Sequence, residues 1–263
     1  MSSLPTLLFV HGSWHAPSTW NKLTPLLEPK GYRCVCPRLP STEQKPSATF
    51  EDDLKVVRQA ITDETSAGTN VVIIAHSYGG VVGQSAVKGL SRPKSSEAAP
   101  TSSSNGHVIG LILVGTGLMP TGISFMQAAG GQPPPSWKAD WDSGYAVLQV
   151  DPRELFYHDL QLEEGKLWVS RLQSQSLKAL YEGGEHVYSG WQDVPTWYLI
   201  TVEDKALPLV AQQAMAPMAK ATGVDVVVRE LQSSHSPMLS RTNEMAGIIE
   251  EAVKDMVIPL PAK

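Results

Sequence analysis

The stretch Asn70–Gly80, NVVIIAHSYGG, constrains the fold of this chain more than any other. Its apolar run Val71–Ala75 is short and rich in β-branched residues, which predicts a strand buried on both faces. The residues after Gly80 are typical of a helix, so Ser77 would lie on a sharp strand-to-helix turn. Such a turn exposes the hydroxyl and aims backbone N–H groups at one point. We therefore predict a nucleophilic serine at Ser77, although Ala75 replaces the first glycine of the G-x-S-x-G pattern.

A nucleophilic serine needs a base that takes its proton and an acid that orients the base. Asp204 follows one predicted strand and His235 follows the last one, so the chain order is serine, aspartate, histidine. That is the order expected for a triad built on this kind of turn. Glu203 is the alternative acid. For the oxyanion we expect two backbone N–H groups, those of Tyr78 and Ser13, with Trp14 as the alternative to Ser13.

Strands alternate with helices along the chain, which predicts an α/β fold with a mostly parallel sheet of about six strands and helices on both faces. Residues 1–116 and 191–263 would form the core, and 117–190 an inserted helical cap. Residues 91–106, SRPKSSEAAPTSSSNG, predict a flexible surface loop. The remaining predicted strands are Leu7–Val10, Tyr32–Pro37, Val108–Val114, Thr196–Val202 and Val224–Glu230. The remaining predicted helices are Ser18–Glu28, a helix that begins at Thr49, Ala211–Thr222 and Arg241–Met256, with short helical stretches at Pro152–His158 and Glu163–Leu172 in the cap. Thr49 and Asp52 resemble a capping box with aspartate in place of glutamate.

Several large side chains of the cap are candidates for the lining of a substrate pocket. They are Phe125, Met126, Trp137 and Trp141, and Trp14 joins them from the loop after the first strand. Pockets for small molecules are mostly apolar and aromatic. Packing within the cap explains the four cap residues equally well.

Composition excludes several classes of function. The net charge of −5 gives no basic surface for nucleic acid or for a membrane, and no apolar run approaches the ~20 residues of a membrane helix. The start, MSSLPTLLFVHG, has no basic region or cleavage site, so we expect no signal peptide. Cys34 and Cys36 cannot easily bridge along one strand, which fits a reducing, cytoplasmic location. We expect a small-molecule substrate and a monomer or homodimer.

Two further patterns are too weak to indicate a bound group. His11 and His15 are four residues apart, but no third ligand lies at a recognisable metal-site spacing. We therefore predict no metal and expect the imidazole of His11 to brace its loop. The Gly115–Gly117 stretch lacks the third glycine of a dinucleotide-binding fingerprint.

Four segments together resemble the compact α/β-hydrolases, a group that includes plant methylesterases, hydroxynitrile lyases and many bacterial and fungal esterases. The segments are FVHGSWH (9–15), AHSYGG (75–80), EDKALP (203–208) and SHSP (234–237), and LFYHD (155–159) in the cap is similar to bacterial and fungal members. The resemblance implies a triad of Ser77, Asp204 and His235, backbone donors at Ser13 and Tyr78, and no cofactor. The related lyases carry threonine and lysine where this chain has Gly12 and Ser236, which favours the esterases.

The expected function is therefore a serine hydrolase that cleaves a carboxylic ester or lactone of a small, largely apolar substrate through an acyl-enzyme. The same fold and triad also serve non-hydrolytic enzymes of secondary metabolism. A lyase, a cyclase, a cofactor-free oxygenase or a small-ligand receptor are thus the alternatives.

Overall fold

The computed structural model describes residues 4–92 and 105–257. Residues 93–104, the greater part of the predicted loop at 91–106, lie outside the described residues. The strands of the described residues are β1 (Thr6–Val10), β2 (Cys34–Val35), β3 (Val71–His76), β4 (Val108–Val114), β5 (Trp137–Asp140), β6 (Tyr145–Leu148), β7 (Thr196–Thr201) and β8 (Val227–Leu231).

Six of these strands form one sheet in the order β2-β1-β3-β4-β7-β8, and every neighbouring pair in it is parallel. The chain runs outward from β1 to β2 and then returns to the other side of β1 with β3. Ligands bind parallel sheets at such a switch point, outside the carboxyl ends of the strands. The loops after β1 and β3, which carry Ser13 and Ser77, therefore meet at the edge where a site is expected.

Helices cover both faces of this sheet, as the alternating pattern predicts. They are α1 (Thr24–Leu27), α2 (Phe50–Ser66), α3 (Tyr78–Ala86), α4 (Phe125–Ala128), α5 (Pro152–Phe156), α6 (Leu162–Val169), α7 (Leu177–Tyr181), α8 (Leu209–Gln213), α9 (Met215–Ala221), α10 (Pro237–Ser240) and α11 (Thr242–Val257), and 3₁₀ turns lie at Pro17–Trp20, Glu28–Lys30, Pro40–Thr42, Gly184–His186 and Gly190–Gln192. One face of the sheet packs on α2 and α3, through residues such as Leu8 and Ile73. The other face packs on α11, through residues such as Phe9 and Ile74.

The helix predicted for Ser18–Glu28 is wrong. The structure has instead a 3₁₀ turn, the short α1 and a second 3₁₀ turn. Pro25 explains the break, because proline removes a backbone donor and is tolerated only in the first turn of a helix. The capping box of α2 is confirmed: the Thr49 side chain accepts from the Asp52 N–H and Asp52 accepts from the Thr49 N–H.

The segment between β4 and β7 holds four short helices, α4 to α7, and also an antiparallel hairpin, β5–β6. The hairpin was not predicted, since the tryptophans and prolines of this region show no clear alternation. The boundaries of core and cap at 117 and 190 stay predictions, and we use "cap" for the segment that carries α4 to α7. Cys34 and Cys36 are free thiols. No helix among the described residues is long and apolar enough to cross a membrane.

Candidate active site

Ser77 lies at the turn between β3 and α3. Its φ of 53° and ψ of −129° put it in a region that residues with a side chain rarely adopt. The turn is held from β4 and from the loop after it, because the Ser77 N–H donates to Val114 O at 3.0 Å and the Thr116 hydroxyl donates to Ser77 O at 2.7 Å. The predicted sharp turn is thus present at the carboxyl edge of the sheet.

Two glycines let other parts of the chain come this close to the turn. A Cβ at Gly12 would lie 2.8 Å from Ser77 Cβ, and a Cβ at Gly79 would overlap the carbonyl oxygen of His11. The loop after β1 and the start of α3 are therefore in direct backbone contact. This explains the small residues around the serine in the sequence.

Asp204 and His235 form a close pair at the same edge of the sheet. The His235 Nδ1–H donates to Asp204 Oδ2 at 2.7 Å, and both side chains are buried. Because Nδ1 carries the proton, Nε2 of the neutral imidazole is left as a base. Glu203, the alternative acid, is exposed, and its backbone oxygen accepts a hydrogen bond from His158 Nε2 at 2.9 Å.

The carboxylate of Asp204 is held by four further donors. The N–H groups of Ala206 and Leu207 reach Oδ1 at 2.7 and 2.8 Å, the Thr201 hydroxyl reaches Oδ2 at 2.7 Å, and Gln212 Nε2 reaches Oδ2 at 3.3 Å. Burial works to raise the pKa of Asp204, but His235 and these hydrogen bonds outweigh it, and the net effect lowers the pKa. Asp204 is therefore ionised and fixed in one orientation at neutral pH.

Ser77 and His235 both line one cavity of about 360 Å³. The Ser77 hydroxyl makes no hydrogen bond to any group of the described residues. A nucleophile-to-base hydrogen bond is often loose before substrate binds and tightens in the complex. The arrangement therefore brings together the three residues that the sequence predicts as a triad.

The two N–H groups predicted for an oxyanion also have no acceptor within the described part of the chain. Tyr78 begins α3 and has no side-chain cap before it, and Ser13 lies in the loop after β1. Both amides flank the serine, since Tyr78 follows it in sequence and Gly12, next to Ser13, packs on its Cβ. Free N–H groups at such a place can bind a developing negative charge.

Two buried histidines brace the Ser13 loop. His11 Nε2 accepts from Leu39 N–H at 3.3 Å, so Nδ1–H donates to Gly12 O at 3.0 Å. His15 Nε2 accepts from the Tyr157 hydroxyl at 2.8 Å, so Nδ1–H donates to Ser13 O at 2.6 Å. Burial lowers the pKa of His11 to about 4 and that of His15 to about 3, so both stay neutral. All four ring nitrogens thus have protein partners.

The cavity is lined by four of the five predicted pocket residues, Trp14, Phe125, Met126 and Trp137. The fifth, Trp141, is a wrong prediction. It lies just after β5, at the turn of the hairpin, is 62% exposed and packs its ring on Tyr181. Further lining residues that the sequence analysis did not single out include Val81, Met119, Leu155, Phe156, Leu180 and Met215.

A comparison with models of protein families matches residues 7–248 of this chain to the alpha/beta hydrolase family. The chain belongs to that family. The matched range contains the turn at Ser77, the Asp204–His235 pair and the Ser13 loop. The resemblance noted in the sequence is thereby confirmed at the level of fold and family.

Two fungal relatives of this α/β-hydrolase align over nearly their whole length. The alpha/beta hydrolase nvfD of Aspergillus novofumigatus is 27% identical over 96% of this chain and 98% of its own. A probable hydrolase, R7, of a Phoma species is 24% identical over 94% of this chain and 97% of its own.

Solved structures share the fold at lower identity. A pyrethroid hydrolase from Sphingobium faniae has a TM-score of 0.70 at 19% identity, covering 95% of this chain and 97% of its own. The methylesterase MES16 of Arabidopsis has a TM-score of 0.71 at 17% identity, covering 96% of this chain and 100% of its own. Polyneuridine aldehyde esterase has a TM-score of 0.68 at 18% identity, covering 94% of this chain and 98% of its own.

The cavity of this α/β-hydrolase is lined mostly by apolar residues and has no charged side chain of the carboxylate, ammonium or guanidinium type among the described residues. The polar lining residues are Ser13, Ser77, Thr116, Gln132, Ser136 and His235. A charged group that leaves water for an apolar surface without a partner is strongly disfavoured. The cavity therefore suits an uncharged molecule.

Proposed function

We propose that this α/β-hydrolase is a serine esterase that cleaves a carboxylic ester or lactone of a small, uncharged, largely apolar substrate. The observation that carries the proposal is the strained Ser77 at the wall of a cavity that also contains His235, whose other nitrogen is fixed on Asp204 at 2.7 Å. The hydrolase and esterase names of the relatives and structural neighbours agree with it.

The chemistry proceeds in two halves. Ser77 Oγ attacks the carbonyl carbon while its proton passes to His235 Nε2, and the N–H groups of Ser13 and Tyr78 bind the oxyanion. The C–O bond to the alcohol then breaks, and the alcohol leaves with the proton from His235. Water next gives a proton to His235 and attacks the acyl carbon, and Ser77 regains its proton as the acid is released. Asp204 stabilises the imidazolium in both halves.

A fluorophosphonate probe tests the proposal, because it forms a covalent bond only to an activated serine and releases fluoride. We expect the wild-type protein to be labelled and to hydrolyse p-nitrophenyl butyrate, and Ser77→Ala to do neither, with a loss of several orders of magnitude in kcat/KM. Ser143→Ala, at an exposed serine in the β5–β6 turn, is the matched control and should behave as wild type.

Two outcomes would contradict the proposal. Equal labelling of wild type and Ser77→Ala would assign the reactive serine elsewhere. No labelling of the wild type, together with no turnover on a panel of esters and lactones, would favour the lyase, cyclase, oxygenase or receptor alternatives.

A further inference from the structure

The short cap segment 156–159 follows Leu155 in the LFYHD sequence. It makes hydrogen bonds to three loops of the candidate site: the loop that carries Ser13 (the oxyanion loop), the loop that carries Asp204 (the acid loop) and the loop that carries His235 (the histidine loop). It lies at the end of α5 and contains Phe156, Tyr157, His158 and Asp159. Apart from Phe156, these residues do not line the cavity. Their role in the proposed reaction is therefore not direct contact with the substrate.

The first connection runs to the oxyanion loop. Tyr157 is buried, and its hydroxyl donates to His15 Nε2 at 2.8 Å. This bond keeps the proton of His15 on Nδ1, which donates to Ser13 O at 2.6 Å. Tyr157 therefore fixes, through His15, the peptide next to the proposed Ser13 donor.

The second connection runs to the histidine loop. Asp159 Oδ2 accepts from the Ser234 N–H at 2.9 Å, and the Ser234 hydroxyl donates to Phe156 O at 2.9 Å. The Phe156 ring also packs on the His235 ring, with centroids 5.7 Å apart. Both bonds act on the residue directly before His235 and so fix the backbone from which the imidazole projects.

The third connection runs to the acid loop. The His158 Nε2–H donates to Glu203 O at 2.9 Å, on the residue directly before Asp204. Three consecutive side chains thus each hold a different loop. The loops themselves come from positions as far apart in sequence as residues 13, 204 and 235.

We infer that the 156–159 segment is a positioning element of the active site, in which Tyr157 orients the oxyanion loop and Asp159 orients the loop of His235. This inference rests on the proposed function. Neither residue is catalytic, since each acts through a loop residue: Tyr157 through His15, and Asp159 through Ser234.

Tyr157→Phe tests the connection to the oxyanion loop, because it removes only the hydroxyl. A trifluoromethyl ketone forms a tetrahedral adduct with Ser77 and carries the oxyanion, whereas a product alcohol does not. We expect kcat/KM and the affinity for the ketone to fall together by about tenfold, the value of one hydrogen bond, while the affinity for the alcohol stays unchanged. Tyr188→Phe is the matched control, because it removes a phenol hydrogen bond to Asp193 at 2.8 Å and Tyr188 does not line the cavity.

Asp159→Ala and Asp159→Asn test the connection to the histidine loop. Asparagine keeps an oxygen that can accept from the Ser234 N–H, and alanine does not. We expect Asp159→Ala to lower kcat and the rate of fluorophosphonate labelling by about tenfold with little change in KM, and Asp159→Asn to restore most of both. Asp52→Ala, which also removes an acceptor of a backbone N–H, should lower stability without slowing the reaction.

The outcomes separate the two proposals. A wild-type protein that forms no ketone adduct and cleaves no ester overturns the proposed function and the inference with it. An active wild type whose Tyr157→Phe and Asp159→Ala variants keep full kcat and ketone affinity overturns the inference alone. Equal losses of ketone and alcohol affinity would also overturn it, because they would indicate a damaged pocket. If Tyr157→Phe does not fold, the Asp159 pair decides the matter.

Discussion

The hydroxyl of Tyr78 donates a 2.7 Å hydrogen bond to Asp53 Oδ2, so the residue directly after Ser77 is fixed on a buried carboxyl of α2. Asp53 Oδ1 in turn accepts from the Ser41 N–H at 2.9 Å. Burial raises the pKa of Asp53 from 3.8 to about 6, although its hydrogen bonds oppose the rise. The folded protein therefore holds the Asp53 proton more tightly than the unfolded chain does.

Asp53→Asn should change how stability depends on pH. Below pH 4 Asp53 is protonated in both the folded and the unfolded chain, so its pKa shift does not change the free energy of unfolding. From pH 4 to 6 the unfolded chain ionises first, so the wild type loses stability relative to the variant as pH rises, and above pH 6 the difference is constant. One pKa unit corresponds to about 1.4 kcal/mol. Urea unfolding of both proteins at pH 4, 5, 6 and 7 measures the difference, and a constant difference would contradict the expectation.

Asp204→Asn should slow turnover far more than Glu203→Gln. The amide of asparagine favours the wrong tautomer of His235, and this loss is about 10⁴-fold in kcat for serine proteases. Glu203 is exposed, and within the described residues its hydrogen bonds all involve its backbone, which donates to Ser233 O at 3.0 Å and accepts from His158 Nε2 at 2.9 Å. Because these bonds do not involve the side chain, Glu203→Gln should keep full activity. Steady-state kinetics on one chromogenic ester compares the two. A large loss in Glu203→Gln would reassign the acid.

The triad candidates could be predicted because parallel strands bring their carboxyl ends to one edge. Residues that follow β3, β7 and β8 must therefore come together, whatever the details of packing. The position of Thr201 at the end of β7, three residues before Asp204, was a weak indication that its hydroxyl lies near the site. The α2 capping box could be predicted from the local sequence, because both of its partners lie in the same turn.

The supporting residues could not be predicted, because their partners are remote in sequence. Tyr157 meets a histidine 142 residues away, and Gln212 points to Asp204 from a five-residue helix with no pattern of its own. Trp141 failed for another reason: four residues after Trp137 it would share a face with it in a regular element, but the chain turns there. The hydrophobic character of Trp141 predicts burial, but its position at the hairpin turn leaves the side chain exposed.

Gly12→Ala should lower the rate of fluorophosphonate labelling by about 10²-fold and should also destabilise the protein by about 1–3 kcal/mol, because the added carbon has no room at this buried position. The added Cβ would lie 2.8 Å from Ser77 Cβ and 3.2 Å from His76 Nδ1, so the Ser13 loop or the serine must move. Displacement of a reacting group by about 1 Å can cost about 10²-fold in rate. Fluorophosphonate labelling rates and melting temperature measure the two effects.

Gly247→Ala provides the matched control for that substitution. Gly247 lies in α11 with nothing within 4 Å of an added Cβ. Alanine should stabilise the helix by about 0.5–1 kcal/mol and leave labelling unchanged. Full labelling of Gly12→Ala would show that the site tolerates a side chain at this position, in conflict with the close contact.

Met215→Lys should shift the preference of the cavity toward an anionic ester. The cavity lining contains no charged side chain among the described residues, so an ester with a terminal carboxylate has no partner there. We expect the wild type to prefer p-nitrophenyl butyrate over p-nitrophenyl hemisuccinate by at least about 10²-fold in kcat/KM.

A lysine at Met215, which lines the cavity and is half-buried, supplies the missing partner for the carboxylate. Met218→Lys adds the same charge to the same helix outside the cavity. If both variants changed the ratio equally, the effect would come from the overall field of the protein, and the assignment of the cavity as the substrate site would be contradicted.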